Sequence, residues 1–384
     1  MRLPVSRVTG VAVVFACLIS LPCESSGQTQ DPLLKQVEQS VETSKKRYLT
    51  AGLHTPWQIL HGILAYRGDY QVKDSSGKLM NAVEWMSRGQ SHDGRPWFQR
   101  TQYGGRAHPY TKDYVFEGHP NQFLAMMANA DFPKDHKLTS GSKPITIGDL
   151  VENAKKETNS REEITWTLWS LSHYLGPDAT WTNKNGESWS IERLVSMQSR
   201  ASTDNAACGG THAMYALAYS LNTYKKTKRP LRGVWLEADR RVQQYVAIAQ
   251  SMQNFDGSFS SQYFKGRGHS REFDKRLSTS GHTLEFLMLA LPKKRLSEDW
   301  VRKAVASVAN DLITNKGVPA EPGALYHAID GLVLYRLRMT GEGPRYVSKM
   351  KTAPAKAKKP DAVKSAKQPA KTIKQAGANK AAKP

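Results

Sequence analysis

Cysteine is scarce in this chain: its 384 residues include three, Cys17, Cys23 and Cys208. The first two fall in a stretch laid out like a cleaved leader, in which Arg2 and Arg7 precede an apolar run from Val8 to Leu21 and small polar residues follow. With residues 1–27 read as a signal peptide cut after Gly27, Cys208 stands alone and a disulfide within one molecule is excluded. A lipoprotein cut before Cys17 or Cys23 is the alternative, against which stands the lack of a small-residue pattern ahead of either. Long apolar runs are also lacking. No stretch after the leader reaches about 18 apolar residues, so no transmembrane helix is expected there. Alternating apolar and polar runs are few, which argues against sheets and for an all-α fold. The chain is expected to be exported, to a periplasmic or extracellular location.

Acidic residues are outnumbered, 34 against 55 Lys and Arg, and the imbalance is local. From Arg345 to Pro384 twelve basic residues face one acid, Asp361, whereas residues 28–344 carry 41 basic and 32 acidic residues. The 345–384 segment repeats Lys, Ala and Pro with almost no large apolar group. It cannot offset the entropy cost of ordering and is expected to be a disordered basic tail. By charge its partners would be an anionic glycan, a negatively charged envelope surface or, without sequence preference, nucleic acid. A solvated extension with no specific partner fits equally. No alternation of aromatic and basic residues marks a base-stacking surface.

Between residues 31 and 341 the apolar pattern has a helical period, and it repeats. His119 is followed by Phe123-Leu124, His212 by Ala216-Leu217, His282 by Phe286-Leu287 and His327 by Gly331-Leu332. His61 with Ala65-Tyr66, and Trp166 with Ser170-Leu171, occupy the same places. The steps between these anchors are 58, 47, 46, 70 and 45 residues, the spacing of a two-helix repeat with variable loops. Each nearly all-apolar segment follows an amphipathic one: Leu33 to Tyr48, Leu79 to Gly89, Ile147 to Glu157, Ile191 to Gln198, Leu236 to Gln253, and Glu298 to Thr314. A helix apolar all round must be buried, and one with a single apolar face can sit on the surface. Alternating the two predicts an (α/α)6 toroid over residues 28–344, with six inner helices inside six outer ones. An irregular bundle or an open solenoid is the alternative.

Two loops, Gln90-Ser-His-Asp93-Gly94-Arg-Pro-Trp97 and Gln253-Asn-Phe-Asp256-Gly257-Ser-Phe259, share Gln, two residues, Asp-Gly and then an aromatic. This resembles the repeat of the terpenoid cyclase and protein prenyltransferase-like α/α toroids, in which a Gln ties an outer helix to the next loop. Glu117-Gly-His-Pro-Asn-Gln-Phe, Ala207-Cys-Gly-Gly-Thr-His and Ser280-Gly-His-Thr-Leu-Glu also look like segments of a group of exported planctomycete proteins, a resemblance that implies no activity. The superfamily's chemistries each lack a part here. No DxDD or DDxxD motif is present for a cyclase, and Ala206 stands where a prenyltransferase places its zinc-binding Asp. A second zinc cysteine for lanthionine formation is missing, and Thr211 stands where a thioester needs Gln.

Gly118, Gly210 and Gly281 precede His119, His212 and His282, which predicts that these histidines gather near helix N-termini at one mouth of the toroid. Such a mouth favours an anionic ligand and neutral imidazoles. The candidate ligand-binding residues are His61, Glu117, His119, Trp166, Thr211, Glu285 and His327. Glu163 or Glu162, paired with His212 or His282, would supply acid and base for glycan cleavage. No cofactor is required by this reading, but Cys208 and His212, four apart, could hold Zn²⁺ together with His282. Structural hydrogen bonding between repeats is the plainer role for any one of these histidines. Trp57, Trp97, Trp166, Trp169, Trp181 and Trp189, with Tyr110 and Tyr114, would offer flat faces to sugar rings. The leading expectation is an exported toroid that binds an anionic polysaccharide at a histidine-lined mouth, with its cleavage there left open. A non-catalytic envelope scaffold and an isoprenoid- or lipid-binding toroid are the alternatives.

Overall fold

The computed structural model describes residues 31–109, 114–141, 143–204 and 206–350. The expected leader, residues 351–384 of the expected tail, and Tyr110 lie outside the described residues. The fold is mostly helical. In chain order the helices are α1 (Pro32–Lys45), α2 (Pro56–Tyr66), α3 (Ala82–Ser87), α4 (Gln122–Asn129), α5 (Ile147–Glu157), α6 (Thr165–Leu175) and α7 (Ile191–Arg200). They continue as α8 (Thr211–Lys225), α9 (Gly233–Ser251), α10 (Phe273–Arg276), α11 (His282–Ala290), α12 (Asp299–Thr314) and α13 (Pro322–Thr340). No helix among the described residues is long and apolar enough to cross a membrane.

The two helix types separate by burial as their patterns require. In α1 the buried residues are Leu33, Val37, Ser40, Val41 and Ser44, one stripe at helical spacing. In α4 all eight residues are buried. The starts are written locally. Thr55 caps α2 in a capping box with Gln58 while Pro56 takes the first turn, and Thr146 caps α5 with Asp149 in the same way. The apolar helices contact one another in succession: α2 with α4, α4 with α6, α6 with α8, α8 with α11, α11 with α13, and α13 with α2 again. Gln253 Nε2 donates to the Gly257 carbonyl at 3.0 Å and to the Trp300 carbonyl at 2.8 Å, tying the end of α9 to α12. Gln90, its counterpart, donates instead to Trp85 of its own helix at 2.7 Å.

Strands are more frequent than the pattern suggested. Among the described residues, five two-stranded antiparallel hairpins lie between helices. Three of them, closing at Leu79–Asn81, Lys143–Thr146 and Ser188–Ser190, run straight into α3, α5 and α7, whose N-caps are Asn81, Thr146 and Ser190. Strands of three or four residues are too short to show a period of two. The expected helix Leu79 to Gly89 is therefore cut to the six residues of α3, its first three residues being strand. The boundary at residue 344 also moves. Val347 N–H donates to Ala130 O at 2.9 Å, Ser348 N–H to Asp131 O at 3.0 Å, and the Val347 side chain is buried, so the packed chain extends past Arg345.

Helices α11 and α13 approach closely because of Gly281. A Cβ built there would lie 2.6 Å from Ala328 Cβ and 2.8 Å from its Cα. Gly281 has an ordinary helical φ of −62°, so the constraint is space and not backbone conformation. Gly281→Val is expected to cost about 1–3 kcal/mol by overpacking, read as a lower urea midpoint.

His136 supplies an acid-sensitive contact. Its Nε2 is 2.8 Å from Ser87 Oγ, its ring stands edge-on to Phe132, and burial lowers its pKa to about 4. The unfolded chain takes up that proton near pH 6.5, before the folded one does. The neutral ring's contribution is thus complete above pH ~6.5 and is lost as the pH falls toward 4. Between pH 7 and pH 4.5, His136→Gln should lose less stability than wild type by about 2–3 kcal/mol in urea titrations.

Candidate functional site

Four of the aligned histidines meet in the interior. His212 and His282 have ring centroids 4.9 Å apart, His282 and His327 4.2 Å, His212 and His327 5.0 Å, and His61 and His327 5.2 Å. Trp57 packs on His61 at 3.9 Å, and Trp166 on His212 at 4.8 Å. Equivalent positions on successive apolar helices have produced this cluster. It is not a mouth lining: His61, His212, His282 and His327 are all buried, as are Trp166, Thr211 and Glu285. Of the three histidines expected near helix N-termini, His212 does lie in the first turn of its helix, α8. His61 and His327 lie inside α2 and α13, and His119 precedes α4. His282 follows α10 and a π-turn, Leu277–Gly281, without a break in helical backbone.

Hydrogen bonds fix which nitrogen of each ring carries the lone pair. His282 Nδ1–H donates to the Ser278 carbonyl at 2.6 Å and His61 Nδ1–H to the Trp57 carbonyl at 2.7 Å, leaving Nε2 unprotonated in each neutral ring. His327 Nδ1 is 2.8 Å from Glu285 Oε2. His212 is different. Neither of its ring nitrogens has a hydrogen-bond partner, although both are buried. Burial first, and then the neighbouring histidines, hold its pKa well below the ordinary imidazole value.

Cys208 completes the cluster. Ligand atoms of Cys208, His212 and His282 all lie within 4.8 Å of one another. The residue is delivered by strained backbone: Cys208 has φ 48° and ψ 40°, and Gly209 and Gly210 follow with φ 63° and 87°. Left-handed geometry at a non-glycine residue costs roughly 1–2 kcal/mol and is retained where the surroundings enforce it. Thr211 Oγ1 donates to the Cys208 carbonyl at 2.8 Å, which is the role the structure gives Thr211. The Tyr263 hydroxyl hydrogen-bonds Ser278 Oγ and, acting on Cys208, lowers its thiol pKa against the effect of burial. Burial pushes the thiol up to about 12, the state expected of a sulfur with no cation beside it.

Behind the histidines lies a charged group that sequence reasoning missed. Arg67, at the end of α2, pairs with Asp330 of α13, and both side chains are fully enclosed. Glu285 and Asp330 act on each other's ionisation, and burial raises the pKa of both acids, Glu285 to about 8. His327, Glu285, Asp330 and Arg67 thus form one buried polar row. Its sequence signal was a lone Asp three residues after His327 in a helix that is otherwise apolar.

A separate cleft of about 260 Å³ opens near α4, lined by Arg106, Glu117, His119, Asn121, Glu162 and Glu163 among others. Glu163 sits here, its Oε2 2.5 Å from His119 Nδ1, and Trp166 stacks behind His119 at 5.4 Å. Glu163 therefore partners His119 in place of His212 or His282. Glu117 Oε1 accepts from Phe123 N–H at 2.8 Å, and burial raises its pKa to about 8. The tryptophans expected to stack on sugar are mostly inside: Trp97, Trp166, Trp169, Trp181 and Trp189 are buried, while Trp57 keeps some surface beside Tyr114.

No protein-family model matches this chain, and neither does a curated protein or a solved structure.

Proposed function

We propose that this chain is an exported α/α toroid that binds a zinc-class transition-metal ion at its centre through Cys208, His212 and His282. The succession of apolar helices returning from α13 to α2 supports the toroid, and the leader-like N-terminal stretch supports export. One observation carries the metal: a buried imidazole, His212, with both nitrogens unpartnered beside a thiol and a second imidazole. Buried polar groups are satisfied in native proteins, so such a group calls for an unrecorded partner. Thiolate plus imidazole suits zinc, and also copper. Tetrahedral zinc would need ligand atoms roughly 3.3–3.6 Å apart, so a set already within 4.8 Å needs a closure of about 1 Å.

Each part of the site has a role in that reading. Ser278 orients His282 through Nδ1, leaving Nε2 for the ion, as an outer carbonyl commonly does for a metal-binding histidine. Tyr263, which acts on the Cys208 thiol, would moderate its charge as thiolate. Three protein ligands leave one position of a four-coordinate ion open, and an ion so held supplies Lewis-acid chemistry when bound. Glu285 keeps the His327 ring fixed against His282.

The test is elemental analysis of the purified chain. One zinc per chain is expected, with content falling more than tenfold in each of Cys208→Ser, His212→Ala and His282→Ala. Zinc retained at wild-type level in all three would defeat the proposal.

The cleft favours a second reading. Glu117 as a neutral acid and the His119–Glu163 pair share it, the arrangement of a glycan-cleaving site. Glu157, Glu162 and Glu163 make a neutral glycan the better fit there, and the anionic glycan expected from composition would have to bind elsewhere. Product release from neutral polysaccharides that vanishes in both Glu117→Gln and His119→Ala would support this reading, and release unchanged in either would end it.

A further inference from the structure

The six apolar helices finish at one end of the molecule, and that end is tied together by contacts. Asp69, after α2, pairs with Arg345, after α13, at 2.7 Å. Asp131, after α4, accepts from Ser348 N–H and lies 3.5 Å from His173 Nε2 on α6. Lys134 and Lys226 both act electrostatically on His173, which places the ends of α4 and α8 together. Asn222 of α8 donates to Leu289 O of α11 at 2.9 Å, and Arg338 of α13 to Met288 O at 2.6 Å.

The connections at this end are basic. Residues 67–81, 130–146, 176–190, 226–232, 291–298 and 341–350 hold sixteen Lys and Arg against eight Asp and Glu. The connections at the opposite end, 46–55, 88–121, 158–164, 201–210, 252–272 and 315–321, hold twelve against nine. Lys134, Lys137, Lys226, Lys228, Lys293 and Lys294 are all exposed. Met350, the last described residue, packs on Gly68 at this end, and residues 351–384, which follow it in sequence, carry ten Lys and one Asp.

We infer that this end is a docking face for a bilayer surface bearing anionic phospholipid headgroups. The exposed cations sit on the tips of several successive connections and do not line a groove. A spread of point charges over one end matches a plane of headgroups better than a single polymer strand, which a groove would track. None of the large apolar side chains exposed among the described residues, Leu53, Leu79, Tyr114, Phe255 and Val318, is an aromatic on this face, so base stacking has no platform here. Attachment is peripheral, since no described helix can span a membrane.

The experiment is co-sedimentation of the full chain with vesicles of phosphatidylglycerol and phosphatidylcholine, against phosphatidylcholine alone. Binding to the anionic vesicles only is expected, lost at high salt because charges more than a Debye length of about 10 Å at 0.1 M are screened. With the tail intact, a variant carrying Lys226→Gln, Lys228→Gln, Arg229→Gln, Lys293→Gln and Lys294→Gln should bind at least tenfold more weakly, its melting curve confirming the fold. Equal binding to neutral vesicles would overturn the inference. Wild-type binding by the five-site variant would do the same, since the tail would then suffice. So would capture by soluble heparin with no binding to vesicles, which would assign the face to an acidic polymer.

Discussion

Arg67→Met should destabilise the protein by about 3–5 kcal/mol, the cost of leaving a buried charge without its partner. Arg67 donates to Asp330 and, at 3.1 Å, to the Ala65 carbonyl, and Asp330 has no exposure to solvent. Met replaces the stem without the charge, and the φ of 51° at this position burdens either side chain alike. Asp330 is then opposed only by Asn129 Nδ2 at 3.4 Å and by Glu285, another acid. Burial raises the Asp330 pKa, and losing Arg67 raises it further, so the folded variant holds a proton that the unfolded chain releases above pH ~4. The loss relative to wild type is therefore largest above both folded-state values of Asp330 and shrinks as the pH falls through them, because wild type and variant then hold the same proton. Urea titration at pH 7 and pH 4.5 checks both magnitude and trend. The double variant Arg67→Met, Asp330→Leu should recover most of the loss, because replacing a whole buried pair by apolar groups is often neutral.

Removing the metal ion is expected to be almost as costly. A ligand bound only to the folded state stabilises it by about 2.7 kcal/mol at a hundred times its dissociation constant. For a chain of this size that corresponds to a fall in melting temperature of roughly 3–5 °C on chelation. The site explains why the stripped state is poor. His212 keeps two buried nitrogens without partners, His282 points the lone pair of Nε2 at the same space, and Cys208 remains on strained backbone. Scanning calorimetry of the zinc-loaded and chelated protein should show the difference in wild type. In His212→Ala the two curves should coincide, since the ligand set is already incomplete.

The helices were legible because their pattern is long. The expected segment Ile147 to Glu157 is α5 to the residue, and α5, like α2, is opened by a capping box written in its sequence. The hairpins were not legible. Strands such as Lys137–Ser140 are too short to show alternation, and only the turns betray them, through Gly77, Gly141 and Gly186, all at positive φ. At the site, the alignment of histidines was right about convergence and wrong about depth. It gave the shared register of His212, His282 and His327, but a helix face does not say whether the space it points into is open. Large aromatics closed it: Trp57 and Trp166 pack directly on the ring cluster. Glu163 was assigned the wrong histidine because it precedes α6, and which neighbouring loop it meets depends on the path of the chain from Glu117 to Asn121. Arg67 and Asp330 were missed because their meaning is mutual and they stand 263 positions apart.

Cobalt substitution tests the metal centre most directly, because its spectrum reports the ligands and not only the presence of an ion. The chain loaded with Co²⁺ at Cys208, His212 and His282 should show the visible bands of a tetrahedral ion together with a near-ultraviolet thiolate charge-transfer band. Cys208→Ser should abolish the charge-transfer band and lose most of the visible intensity. A wild-type spectrum with only the faint bands of hydrated, six-coordinate cobalt would contradict the account.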